Sequence, residues 1–475
     1  MMAQSYKIPR KHNFFIFLLI CSFVVYLALP NLQMPILLFC WATMLVVLFQ
    51  NIAYNIPIIS FLIAIFTFLL SRLVIPIAYS NRYILEASEN TMTFKYETYQ
   101  FISTSIFVSI IAAFLGYCCV GQKQLEKQVF NNMTPYVRKV RQLSKDLYYI
   151  TLIFELIVLF ENIFFVWKYG YLELFLKTER MLPAYIYKIA SINILLFYIF
   201  LATLPEKKSA QKIIYIYLIY SFLTLFVGAR TDFIINVMFL IIYYYIRNTL
   251  HKDEIWMTKR NKIVIAIVVP FILILMFMVM LIRGNNEIGN VSSSFIVNFL
   301  YQQGSSVQVL GLVRETNIPN DKLYSFGMLI DKYYDNFFFH LLGIAKHYDN
   351  QTMEMAIHGH LLSNYLTYTY QTDRFLRGGG MGSCYIAEVW NDFGYIGLFI
   401  WSFIYGVILK KIYSWCGRNI WGTALAFIMI MKIIYSPRSY AISFIADLIS
   451  PTYFFTMLFI HIYAKKTRKR VKYEI

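Results

Sequence analysis

Charge is scarce in this sequence. Asp, Glu, Lys and Arg make up 14% of its 475 residues, where a soluble chain carries about a quarter. So little charge cannot cover a soluble surface of this size, which excludes a soluble enzyme and a disordered chain. The six cysteines are Cys21, Cys40, Cys118, Cys119, Cys384 and Cys416. Most fall inside apolar runs or beside basic segments, and only Cys384 lies near the opposite face, so no disulfide framework can form. No CxxC or HExxH spacing offers a zinc site, and no Walker loop or GxGxxG offers a nucleotide site. Neither a metal nor a cofactor is expected. There is no repeat of fixed period and no low-complexity stretch.

What the sequence has instead is apolar length. Hydrophobic residues make up 59%, mean hydropathy is +0.57, and runs of the length needed to cross a bilayer recur from end to end. Twelve spans are read near 13–30, 33–50, 57–79, 98–118, 147–167, 185–204, 212–228, 231–247, 262–282, 385–409, 420–436 and 442–463. The fold class is therefore an all-α polytopic membrane protein. The first run follows Lys7, Arg10 and Lys11 and has no small-residue cleavage site, so it reads as an anchor. An even number of spans places both termini on one side.

Taking that side as the cytoplasm puts 26 of the 43 Lys and Arg on the inner face, with six acids beside them. The remainder of the chain is close to neutral, with 17 basic and 19 acidic residues. This is the positive-inside asymmetry. It accounts for the net charge of +18 and leaves nothing over for a nucleic acid. The tail Lys465-Lys466-Thr467-Arg468-Lys469-Arg470 reads as a topology anchor touching anionic lipid. The chain divides into spans over 1–282, an outer loop over 283–383, further spans over 384–464 and a basic tail over 465–475.

Three features carry candidate chemistry. The outer loop is too long to be a simple connection. It is charge-balanced and holds four of the seven histidines: His340, His347, His358 and His360. Stretches 295–312 and 323–345 read as helices lying on the membrane, so the loop is expected to be a folded cap. The second feature is a set of arginines at outer span ends: Arg230 in Gly228-Ala229-Arg230-Thr231-Asp232, Arg283 directly after a span, and Arg438 in Ser436-Pro437-Arg438-Ser439. Arg314, Arg374 and Arg377 belong to the cap. Any one of these could snorkel or pair with a nearby acid, as Arg230 with Asp232. Several together suggest an anion site, because a guanidinium fork matches phosphate oxygens.

The third feature is Arg377-Gly378-Gly379-Gly380-Met381-Gly382-Ser383, leading into a span that starts Cys384-Tyr385-Ile386-Ala387-Glu388-Val389-Trp390-Asn391-Asp392-Phe393-Gly394-Tyr395-Ile396-Gly397. The glycines, Gly379 and Gly380 among them, allow close backbone approach to a ligand or a neighbouring helix. Glu388 sits one turn into the span, with Asp392 on the same face. An ionisable residue at that depth is a functional candidate; the alternative is a carboxylate that locks helices.

The stretch 377–409 resembles the late signature of the Wzy-type O-antigen polymerases: a Gly-rich approach, then Ala-Glu, then Asn-Asp-Phe-Gly-Tyr-Ile-Gly. The Gly-Ala-Arg-Thr-Asp turn resembles that family's outer Gly-x-Arg turn. The resemblance implies a GT-C-like membrane glycosyltransferase in the bacterial inner membrane, joining repeat units carried on undecaprenyl pyrophosphate at the periplasmic face. The growing chain moves onto the next unit and undecaprenyl pyrophosphate leaves, so no nucleotide is needed. A chain-length-regulating co-polymerase is the expected protein partner. Under this reading Arg230, Arg283, Arg314, Arg377 and Arg438 receive the pyrophosphate, and Glu388, His358 and His360 are the candidate bases. Two rivals stay open: an O-antigen ligase, of whose His-Asn loop start His358-Gly359-His360 is a partial echo, and a lipid-linked oligosaccharide flippase.

Overall fold

The computed structural model describes residues 22, 25, 26, 28–80, 94–121, 130, 133–176, 181–228, 230–250, 254–282, 294–334, 342, 343 and 348–473. Among these residues there is no strand, and eight helices are long and apolar enough to cross a membrane. After the shorter apolar helix α1 (Gln33–Phe49) come α2 (Ile52–Ile77), α3 (Tyr96–Cys119), α4 (Pro135–Tyr169), α5 (Ala184–Ala202), α6 (Lys207–Val227) and α7 (Arg230–Leu250). Helix α8 (Lys259–Ile282) follows, and then five short helices: α9 (Phe295–Gln303), α10 (Ser306–Glu315), α11 (Gly327–Tyr334), α12 (Met353–His358) and α13 (Leu362–Tyr370). The chain finishes with the short α14 (Thr372–Leu376), the long α15 (Tyr385–Trp415) and α16 (Ile420–Arg438), and then α17 (Pro451–Tyr473). Helices are what such a sequence must form, because an apolar surrounding leaves backbone N–H and C=O groups no partners but each other.

Among the described residues eight of the twelve expected spans reappear as helices long and apolar enough to cross, with different edges. The run at 13–30 lies mostly outside the described residues. Helix α4 is longer than the span read at 147–167, because Thr134 caps it: its Oγ1 accepts from the N–H of Val137 at 3.3 Å, and Pro135 follows at the first helical position. The span read at 442–463 is corrected most. Its first part is a four-residue helix, Ser443–Ala446, and the long helix begins only at Pro451. Ala441, Phe444 and Ala446 are apolar because protein buries them.

Helices α3 and α15 form the closest pair. A Cβ on Gly116 would stand 2.0 Å from the carbonyl oxygen of Phe403, and one on Gly406 would stand 1.9 Å from that of Ala113. Glycine on both helices lets the backbones meet, the usual device where helices pack without a hydrophobic driving force. Between them Tyr385 Oη lies within hydrogen-bond reach of Ser109 Oγ and, at 3.2 Å, of Ser402 Oγ.

The short helices gather at one end of the bundle. Ser71 Oγ, late in α2, donates to the carbonyl of Leu300 at 2.8 Å. Thr98 Oγ1, at the start of α3, donates to Glu315 at 2.8 Å. Asp392, early in α15, accepts from Ser325 N and Oγ at 2.7 and 2.6 Å. The described residues of the expected cap are therefore folded against the bundle, but its first helical stretch is not a single surface helix. It breaks at Gly304 into α9 and α10, and Val307, Val309 and Leu310 are fully buried. The basic segments meet at the other end. There Phe130 N donates to Gly417 O at 2.7 Å, Arg141 Nη2 to Thr203 O at 2.8 Å and Arg247 Nη2 to Pro205 O at 2.9 Å.

Candidate functional site

A cavity of about 1110 Å³ opens where the cap meets the bundle. Its floor is apolar: Ile63, Ala64 and Phe68 of α2, Ile235 and Met238 of α7, Met276 of α8, and Met431 and Ile434 of α16. Its upper wall is polar and aromatic, built from Tyr169–Glu173 after α4, the loop carrying Gly378–Gly380, and Tyr435, Arg438 and Tyr440.

Two local irregularities shape this wall. Helix α2 widens to a π-turn over Phe66–Leu70, which contributes Thr67 and Phe68 to the lining. Such turns mark helices that re-aim side chains. The glycine loop is packed rather than loose. Gly378 has φ +85°, and a Cβ there would lie 2.4 Å from the carbonyl oxygen of Leu172. A Cβ on Gly379 would lie 2.4 Å from Arg374 Cγ. Both positions therefore need glycine, and what approaches them is protein. Gly380 has no such neighbour and faces open space along the cavity.

The arginines converge as a group. Arg230, Arg377 and Arg438 line the cavity, and Arg374 joins them. Arg438 donates from Nη1 to Gln303 O at 2.7 Å and to Ser305 Oγ at 3.3 Å, with its guanidinium 5.6 Å from the Phe68 ring centroid. Its other N–H groups have no protein acceptor among the described residues. The alternative pairing of Arg230 with Asp232 is not among the ion pairs of the described residues. Arg314, at the exposed end of α10, does not line the cavity. Arg283, His340 and His347 lie outside the described residues.

The three residues named as candidate bases all lie away from the lining. Glu388 is fully buried behind the wall. One carboxylate oxygen accepts from Ser383 Oγ at 2.5 Å and the other from the N–H of Ala441 at 2.8 Å. It thus ties the end of the glycine loop to the turn that carries Arg438. His360 Nδ1 lies 2.7 Å from Asp331 within the cap. His358 is exposed, its ring stacked on Tyr348 at 5.9 Å. The carboxylates that do line the cavity are Glu173, Asp232 and Asp373. The sequence named Asp232 only as a partner for Arg230 and passed over the other two, which sit on short helices without a periodic signal.

Just beyond α16, Asp447 receives Lys332 of the cap and Lys432 of α16, each at 2.8 Å. Burial works against its charge, but the two ammonium groups outweigh that and hold the carboxyl below its usual range. Tyr440, half-buried beside Ser363, is pushed above the usual phenol range by desolvation. The described residues contain no group of His, Cys, Asp and Glu able to hold a metal ion.

The family described as O-antigen polysaccharide polymerase Wzy is matched over residues 12–471. No curated protein and no solved structure matches the chain.

Proposed function

The chain belongs to the O-antigen polysaccharide polymerase Wzy family, membrane polymerases of glycosyltransferase type, and from that premise we propose that the cavity is where two lipid-linked repeat units meet. The donor is the growing chain on undecaprenyl pyrophosphate. Its anomeric carbon is attacked by a sugar hydroxyl of the next lipid-linked unit. The new C–O bond forms as the C–O bond to pyrophosphate breaks, and the electron pair leaves with the pyrophosphate. The grown chain now rests on the incoming lipid. The cap end faces the periplasm and the basic end the cytoplasm, in line with the positive-inside charge pattern.

The observation that carries this reading is the division of the cavity: four guanidinium groups stand above an apolar floor. Cations fixed in advance stabilise charge as it develops on a leaving group, because they need not reorganise during the step. Arg230, Arg374, Arg377 and Arg438 are placed for that task. The floor between α2, α7 and α16 suits the first isoprene units of the carrier. Tyr169, Tyr171 and Tyr440 offer ring faces and hydroxyls to sugars.

The test is a gel of surface polysaccharide from a strain lacking the protein, with and without re-expression. The reading expects lipid A-core bearing a single repeat, with the ladder restored on re-expression. Core bearing no repeat, with lipid-linked polymer accumulating, would replace it with a ligase. Core alone, with single lipid-linked units held inside, would replace it with a flippase.

A further inference from the structure

We infer that Asp232 is the group that takes the proton from the attacking sugar hydroxyl; this rests on the polymerase reading above. The step needs a proton acceptor that can reach the reacting sugar. The carboxylate named first by sequence, Glu388, has both oxygens engaged and does not line the cavity. His360 is held by Asp331, and His358 lies against Tyr348 in the cap. Glu173 and Asp373 line the cavity from the short helices of its upper wall. Asp232 alone of the lining carboxylates is carried by a spanning helix, in the first turn of α7. It therefore sits at the level where the arginines meet the apolar floor.

Asp232 is also held back by nothing. It makes no hydrogen bond and no ion pair among the described residues, and its side chain is exposed on the cavity wall. The charged and titratable groups within its electrostatic reach are Lys432, Glu155 and Tyr220. Each is engaged elsewhere. Lys432 lies 2.8 Å from Asp447, and Glu155 accepts from Tyr220 Oη at 2.5 Å. Arg230 is two residues away, and side chains at that spacing on a helix do not face one another. The leaving-group cation and the carboxylate thus present separate sides to a ligand.

The step balances as follows. The Asp232 carboxylate takes the hydroxyl proton as the oxygen bonds to the anomeric carbon. The bond from that carbon to pyrophosphate breaks, and its electron pair departs with the pyrophosphate toward the arginines. The proton on Asp232 then passes to water before the next cycle.

The experiment uses the full chain in proteoliposomes, supplied with lipid-linked repeat units extracted from a strain lacking the protein. Wild type, Asp232→Asn, Asp232→Glu, Glu173→Gln and Asp373→Asn are compared for polymer formed per inserted protein. Loss of a positioned base costs about 10²–10⁴-fold in turnover. Asp232→Asn is expected to lose turnover on that scale with little change in KM, Asp232→Glu to keep part of it, and the two rim variants to lose less turnover than Asp232→Asn. Asp232→Ser takes the place of the Asn variant if that one does not insert. An Asp232→Asn protein within about threefold of wild type overturns the inference and leaves the polymerase reading standing. So does a loss that follows Glu173 or Asp373 instead. A wild-type protein inert on these units overturns both.

Discussion

At the end of the bundle remote from the cap, arginine serves the protein itself. Arg247 is 1% exposed, donates to Pro205 O at 2.9 Å, pairs with Glu254 at 3.3 Å and lies 4.8 Å from the Trp256 ring centroid. Arg141 donates to Thr203 Oγ1 at 3.0 Å and to Thr203 O at 2.8 Å. At the cap end Arg438 gives one nitrogen to the protein and presents the rest to an open cavity shared with Arg230, Arg374 and Arg377. The residue type is the same and the use is opposite. Where guanidinium groups are enclosed by carbonyls and indole they fasten loops. Where they are held by one corner around a void, they are available to a ligand. Counting arginines, or noting their side of the membrane, does not separate these cases; whether the remaining N–H groups are enclosed by protein, as Nε and Nη1 of Arg247 are, or border a cavity does.

That contrast can be broken most directly with one substitution at each end. Arg438→Ala should lower polymerisation by about 10²–10³-fold, the scale for losing one preorganised donor to a leaving group, while the protein still inserts. Arg247→Ala should do the reverse. It removes the ion-pair partner of Glu254, which keeps the N–H of Lys207 and Nε1 of Trp256 as donors, at a cost of up to about 3 kcal/mol once the partial exposure of Glu254 is allowed for. Activity per inserted molecule should be preserved. Equal loss of specific activity in both would remove the distinction. Polymer ladders normalised to membrane-inserted protein provide the measurement.

Glu388 sharpens the comparison, because it lies at the cap end yet is fully engaged. Glu388→Ala orphans Ser383 Oγ and the Ala441 N–H, each costing about 1–3 kcal/mol. Stability should therefore fall together with activity, unlike the outcome at Arg438. Thermal unfolding in detergent beside a polymerisation assay separates the two. An Ala variant that is stable but inactive would return Glu388 to the chemistry.

The smallest effect is expected at the clasp of Asp447 with Lys332 and Lys432. Its folded-state carboxyl is held below the unfolded value, so the clasp stabilises at pH 7 and loses that contribution as pH falls through the carboxylate range. Both lysines are more than a third exposed, or close to it, at 34% and 41%, so the gain is about 0.5 kcal/mol. Asp447→Asn should melt slightly lower than wild type at pH 7, and the difference should shrink steadily as pH falls through and below the ordinary carboxylate range. A difference that does not shrink with acidification would assign the effect to packing.

Much of this was legible in the chain, for identifiable reasons. Spans announce themselves by apolar length, and Arg230, Arg377 and Arg438 stand out because cations at that end run against the charge bias. Ile442–Ser450 misled because burial beneath a cap selects the same apolar residues as burial in lipid. Glu388 was visible as a carboxylate in an apolar run, but its partner Ala441 is 53 positions away, and no local pattern reports that. Glu173 and Asp373 were invisible because they sit on single helical turns, where neither periodicity nor span logic applies.

The π-turn at Phe66–Leu70 has one more consequence. Each residue of an α-helix advances the side chains by about 100°, so a turn wound wider than its neighbours sets a phase offset along α2. Below it, residues keep step with the bundle; above it, Ser71 and Arg72 keep step with the cap, reaching Leu300 and the Tyr301 ring. One helix is thereby read in two registers, and the cavity opens at the seam between them. Removing a single residue from that turn would leave composition and length almost untouched, yet swing the cap's anchor out of step with everything beneath it.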